Sequence, residues 1–168
     1  VITNAPTKTK FMIVSNPDRH LICFGTETTI GTTSTQDPMF IRWSDQDDFN
    51  DWTASATNSA GSQRVTGGSK IVTAISTRGQ ILFLTDTSAH GMSFIGAPFT
   101  FGFQKLGTNC GAISPHCAVD ISGMVYWMSS DGFYMFDGTV RKMPCTVEDF
   151  VFDNIDSTQL EQVYAASN

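Results

Sequence analysis

Four aspartates crowd into one short segment, Asp45, Asp47, Asp48 and Asp51, with Asp37 upstream, and they are the densest set of hard oxygen ligands in the chain. Carboxylates at alternate positions suit Ca²⁺. An EF-hand loop, however, needs Gly at its sixth place and Glu at its twelfth. Counted from Asp45, those places hold Asn50 and Ala56. A solvated turn between Trp43 and Trp52 is the favoured reading, and calcium binding by Asp45–Asp51 stays open. Cys110, His116 and Cys117 suggest zinc, yet no fourth ligand stands at a suitable interval. Small thiols kept in a core are the simpler expectation. His20 and His90 stand alone at strand edges and read as surface or cap residues.

Nucleophilic chemistry fares no better. Gly91-Met92-Ser93-Phe94-Ile95-Gly96 misses the nucleophile-elbow pattern by one residue, and it lies in a strand instead of a strand-to-helix turn. Neither a phosphate loop nor a dinucleotide fingerprint occurs. No pair of carboxylates is singled out for glycoside cleavage. Trp43, Trp52, Tyr126, Trp127, Phe133, Tyr134 and Phe136 would make a sugar-stacking platform if exposed, but alternation at period two places them in packed strand faces. No catalytic, cofactor-binding or metal-binding residue is therefore assigned, no cofactor is expected, and the chain reads as a non-enzyme.

The elements around these residues are strands. Phe11–Val14 and His20–Phe24 flank the turn signal Ser15-Asn16-Pro17-Asp18, and Met39–Ser44 resumes the pattern after a Thr/Ser/Gly-rich loop, Gly25–Asp37, long enough to reach a partner. Thr53–Gly68 reads as a second polar excursion. Ile71–Ile75, Gln80–Thr85 and Ala89–Ile95 form one pass of the four-strand rhythm, and Phe99–Gly107 follows as an aromatic alternation with Phe99, Phe101 and Phe103 on one buried strand face. Cys117–Ile121, Met124–Met128, Phe133–Phe136 and Thr139–Met143 form another pass, punctuated by Ser122-Gly123, Asp131-Gly132 and Asp137-Gly138. Such dipeptides supply the positive φ of hairpin turns. The only helical signal is Ser157-Thr158-Gln159-Leu160-Glu161 running into Val163-Tyr164-Ala165-Ala166. The fold class is all-β, with propeller-like antiparallel blades, two to three in number, and a short C-terminal helix. A closed propeller takes about four to eight blades, so the ring is incomplete or the chain is a fragment. One β-rich domain over 1–168 is expected, and the missing initial Met points to a piece of a longer protein.

Composition narrows the partners. Only 15% of the 168 residues are charged, below the share of about 25% in ordinary domains, so Thr, Ser, Asn and Gln cover a surface suited to neighbouring subunits. The net charge of −6, with ten scattered Lys and Arg, argues against tight nucleic-acid binding. No apolar run is long enough for a membrane-spanning helix, and no membrane partner is expected.

Ile41-Arg42-Trp43-Ser44-Asp45-Gln46-Asp47-Asp48, then Asp51-Trp52-Thr53 and Thr57-Asn58-Ser59-Ala60-Gly61, resemble a segment of tail proteins of tailed bacteriophages. Phe99-Thr100-Phe101-Gly102-Phe103, Val125–Met128, Asp131–Tyr134, Asp137-Gly138 and Pro144–Val147 continue that resemblance in order, so that it covers most of the chain from residue 11. Ser44-Asp45…Trp52 also resembles the Asp-box of sialidase propellers, without its glycine. The first resemblance implies a virion structural protein similar to the hub or nozzle of short-tailed phages. Such a protein carries propeller-like β domains and assembles as a ring around the DNA exit channel. Its implied partners are other tail proteins and copies of itself in a ring-shaped homo-oligomer, with DNA passing but not held, and its implied location is the phage tail. The alternative expectation is a carbohydrate-binding or depolymerising β domain of a phage or bacterial surface protein. A calcium-stabilised propeller is a third.

Overall fold

Short β-rich runs separated by turn residues give twelve strands in the computed structural model, which describes residues 2–16 and 18–167. They are β1 (Phe11–Val14), β2 (Leu21–Phe24), β3 (Phe40–Trp43), β4 (Gly61–Arg64), β5 (Ile71–Ser76) and β6 (Ile81–Thr85). The rest are β7 (Ser88–Gly96), β8 (Thr100–Thr108), β9 (Ala118–Ile121), β10 (Met124–Met128), β11 (Phe133–Phe136) and β12 (Val140–Lys142). Each consecutive set of four makes its own antiparallel sheet in chain order, β1 to β4, β5 to β8 and β9 to β12. Three meanders of this kind are the internal topology of propeller blades, and among the described residues none closes into a barrel.

Local chemistry explains the reversals. Ser122 and Gly123 both hold positive φ, 57° and 89°, as a two-residue type I′ turn requires. The Asp120 carboxylate accepts the Gly123 N–H at 3.1 Å, so three consecutive positions enforce one hairpin. Between β6 and β7 the Thr85 hydroxyl accepts the Ser88 and Thr87 N–H groups, a side chain standing in for a backbone turn.

The chain divides into two compact units, Val1–Ile71 with Ser93–Gly102, and Val72–Met92 with Phe103–Asn168. In the first, every residue of β2 is buried, and Leu21 and Cys23 pack with Trp52. In the second, Leu82, Leu84, Val125, Trp127 and Phe136 share one apolar cluster. Trp127 stacks on Tyr134, its direct neighbour across the β10–β11 ladder, and gives its indole N–H to the Cys110 carbonyl at 2.8 Å. The indole can be buried because the Cys110 carbonyl satisfies its donor.

Three expectations are corrected. The excursion Thr53–Gly68 contains β4, which pairs with β3 from Phe40↔Arg64 to Trp43↔Gly61. Its only buried member is Gly61, so an edge strand formed by ladder bonds carries no apolar alternation to announce it. The helix, α1, is Glu148–Asn154, upstream of the segment with the capping signal. Asp156 takes both the N–H and the hydroxyl of Thr158 there, and this local turn outcompetes a helix start, leaving one 3₁₀ turn at Leu160–Gln162. Phe99 is not on a buried face: Phe101 is buried, whereas Phe99 is 71% exposed.

The loop Gly25–Asp37 is internally braced. Glu27, wholly buried, accepts the Thr7 hydroxyl at 2.5 Å and the Gly31 N–H at 2.8 Å. Arg42 reaches from β3 to the Thr28 carbonyl at 2.8 Å. Burial pushes the Glu27 carboxyl up, but the hydrogen bonds from Thr7, Gly31 and Lys8 outweigh it and hold the carboxyl below its usual value.

Candidate functional site

The aspartates of the acidic segment are separated by their own partners. Asp45 accepts the Ser59 hydroxyl at 2.5 Å and the Ser59 N–H at 2.7 Å, and Asp47 pairs with Arg19 at 2.7 Å. Asp48 takes the Asn50 N–H, Asp51 takes the Asn58 amide, and Asp37 pairs with Arg64. Each carboxylate closes a different turn or loop contact, and among the described residues no group of three His, Cys, Asp or Glu side chains is placed to share an ion. The zinc candidates also serve separate structures. Cys110 and Cys117 lie in the apolar core of the second unit, while the His116 ring sits 5.6 Å from the Tyr164 ring.

Both strand-edge histidines are buried, contrary to the surface or cap role expected of them. His90 stacks on Phe83 with ring centroids 5.0 Å apart. His20 meets Phe101 edge-on at 5.1 Å and places Nε2 3.0 Å from the Ser59 hydroxyl. A strand-end position in the sequence carries no information on which chain segment later covers it.

Ser59, quoted above only within the run Thr57–Gly61 and given no role of its own, is the residue that joins these groups. Its hydroxyl donates to Asp45, and its carbonyl accepts both the Trp43 indole N–H at 2.9 Å and the Thr100 hydroxyl at 2.9 Å. Trp43 packs edge-on against Phe101 at 5.3 Å, and Phe101 against Phe94 at 5.8 Å. Through these contacts Ser59 and Trp43 fix the far end of the long β7–β8 hairpin within the first unit. There Phe101 is buried, while Phe94 remains 42% exposed. Ile95 is 57% and Phe99 71% exposed. Residues 93–102 contain no charged side chain. A hairpin apex is ordinarily polar, so an uncharged run through Gly96-Ala97-Pro98 was the signal available in the sequence.

The second unit holds a cavity of about 280 Å³. Register defines its floor: Tyr126 opposes Val119, and Met128 opposes Phe133, which puts these four side chains on one face of β9–β11. Met143 and residues 163–165 supply its walls. The latter segment is held by the Ser114 hydroxyl on the Val163 carbonyl at 2.6 Å and the Ala165 N–H on the His116 carbonyl at 2.8 Å. Tyr164 forms the rim, 73% exposed. None of the lining residues is charged. The Tyr134 hydroxyl is already committed to the Asn109 carbonyl and Asp131, and beside that carboxylate burial holds the phenol above its usual pKa. An apolar side chain matches such walls, whereas a charged ligand or a sugar would find few free polar partners.

No family model matches the sequence, and no curated protein matches it.

Proposed function

We propose that this chain is a structural part of a bacteriophage tail, of the hub or nozzle kind, contributing blades to a ring-shaped assembly around the DNA exit channel. The observation that carries this reading is the serial repetition of a four-stranded meander, three times in chain order. Blades expose edge strands and blade faces that are satisfied only by further strands, from the same protein or from another copy. Part of the run that resembles phage tail proteins falls within these strands: Ile41–Trp43 in β3, Thr100–Phe103 in β8, Val125–Met128 in β10 and Phe133-Tyr134 in β11. Low charge and a net −6 suit a wall that lets DNA pass, since phosphates are neither gripped nor drawn to it. The protein works by shape and contact, not by catalysis.

The glycan-binding reading has less support. Trp43 and Trp52 are buried, and both indole N–H groups are taken, by the carbonyls of Ser59 and Phe49. Neither ring offers a face to a sugar.

Location tests the proposal. Gold-labelled antibody raised against the chain is expected to mark one pole of tailed particles released from the source that carries the gene. An antibody that recognises the free protein yet labels no particle, intact or opened, would contradict a virion role.

A further inference from the structure

We infer that the β7–β8 apex of one copy inserts Phe99 into the aromatic cavity of a second copy, a head-to-tail contact that propagates from subunit to subunit. The inference rests on the ring-assembly reading and names the contact that would build the ring.

Four observations favour a second copy as the occupant. Knob and cavity are on different parts of the same chain, in the first and second unit respectively, so copies joined through them associate heterologously, the geometry that generates rings when the rotation closes. Size agrees as well. A cavity of about 150 Å³ takes a benzene ring, and the 280 Å³ here leaves room for the Phe99 ring.

Electrostatics agrees too. Two chains of net charge −6 repel, and they approach at least cost where neither surface is charged. Both residues 93–102 and the cavity lining meet that condition. The other strongly exposed phenylalanine, Phe150 on α1, fails it, because Glu148, Asp149 and Asp153 surround it in sequence and would have to be stripped of water. Finally, the knob is preorganised. Phe94 and Phe101 anchor the strands that flank the apex to His20 and Trp43, so its backbone loses little freedom on docking.

Complementation between two defective variants tests the contact. Phe99→Asp disables the knob and leaves the cavity intact. Val119→Glu disables the cavity and leaves the knob intact, and Tyr164→Asp at the exposed rim is the substitute should the floor variant not fold. Light scattering on the wild-type chain should show mass rising with concentration, and each variant should need at least tenfold more protein to associate. An equimolar mixture of the two variants should form a dimer and stop there, one knob meeting one cavity. The inference is overturned if the wild-type chain stays monomeric, if Phe99→Asp associates like wild type, or if the folded variants do not complement. It is also overturned if Phe150→Asp abolishes association and Phe99→Asp does not. Antibody labelling of particles is independent of these variants, so a tail protein whose ring uses other contacts would label particles and fail complementation.

Discussion

His20 Nε2 lies 3.0 Å from the Ser59 hydroxyl, and that hydroxyl has its own proton committed elsewhere. Ser59 donates to Asp45 at 2.5 Å and accepts the Gln46 N–H at 3.0 Å, so the His20 bond is one in which the imidazole donates. The order is Asp, Ser, His, with serine in the middle, whereas a nucleophilic triad needs histidine there to take the serine proton. Three residue types of hydrolase chemistry thus form a brace.

That brace makes the fold sensitive to acid. Burial lowers the His20 pKa below 6.5 despite the nearby aspartates, so the fold favours the neutral ring. Its contribution is complete above 6.5 and shrinks as pH falls from there toward the folded value. Asp45 and Glu27 are held below their unfolded values of 3.8 and 4.5, and their contributions disappear as pH falls through the lower folded values. Melting temperature should therefore fall in two stages on acidification, the first beginning near pH 6.5. His20→Gln should remove the first stage and keep the second. A melting temperature that stays flat in wild type between about pH 7 and pH 5 would show that His20 is not held neutral.

A Cβ on Gly61 would stand 2.5 Å from Cζ2 of Trp43. Gly61→Ala must push the indole off Ser59 and Phe101, and a loss of about 1–3 kcal/mol is expected in urea denaturation. Gly79, with open space around it, is the control. Gly79→Ala should be neutral or raise stability by up to about 1 kcal/mol.

Much of this architecture can be read from the sequence because its turns are encoded locally. Ser122-Gly123 and Asp137-Gly138 mark their hairpins by residue type alone, and Gly123 and Gly138 do hold positive φ. What the sequence conceals is set by distant partners. Ser59 lies 39 residues from His20, and Ser114 lies 49 from Val163, whose segment walls the cavity. No local pattern reports such meetings. β4 escapes for a related reason, since Ser62, Gln63 and Arg64 form a strand by pairing with β3 and bury no side chain.

Glu27→Gln should loosen the loop between β2 and β3. The substitution keeps the shape but weakens the bonds from Thr7 and Gly31, which lose their ionic acceptor. A cost of about 1–3 kcal/mol is expected. Hydrogen exchange should rise in residues 28–36 before it rises in β2, and uniform exchange across both would refute a local brace.

The four thiols should differ in reactivity. Cys23, Cys110 and Cys117 are buried, whereas Cys145 is partly exposed. Burial raises the Cys23 thiol to about 11 and pushes Cys110 up as well, which withholds the reactive thiolate. One equivalent of a thiol reagent should react quickly at pH 8 and the rest only after unfolding. Rapid reaction of two or more in the native protein would mean that the core opens readily.

The central claim is that the protein functions by assembling, and the mass of the particle that it forms tests this most directly. Light scattering at increasing concentration should show the mass rise to one defined multiple of the subunit mass, and negative-stain images should show rings of that stoichiometry with an open centre. A mass that stays at one subunit across the whole range, with no rings in the images, would contradict it.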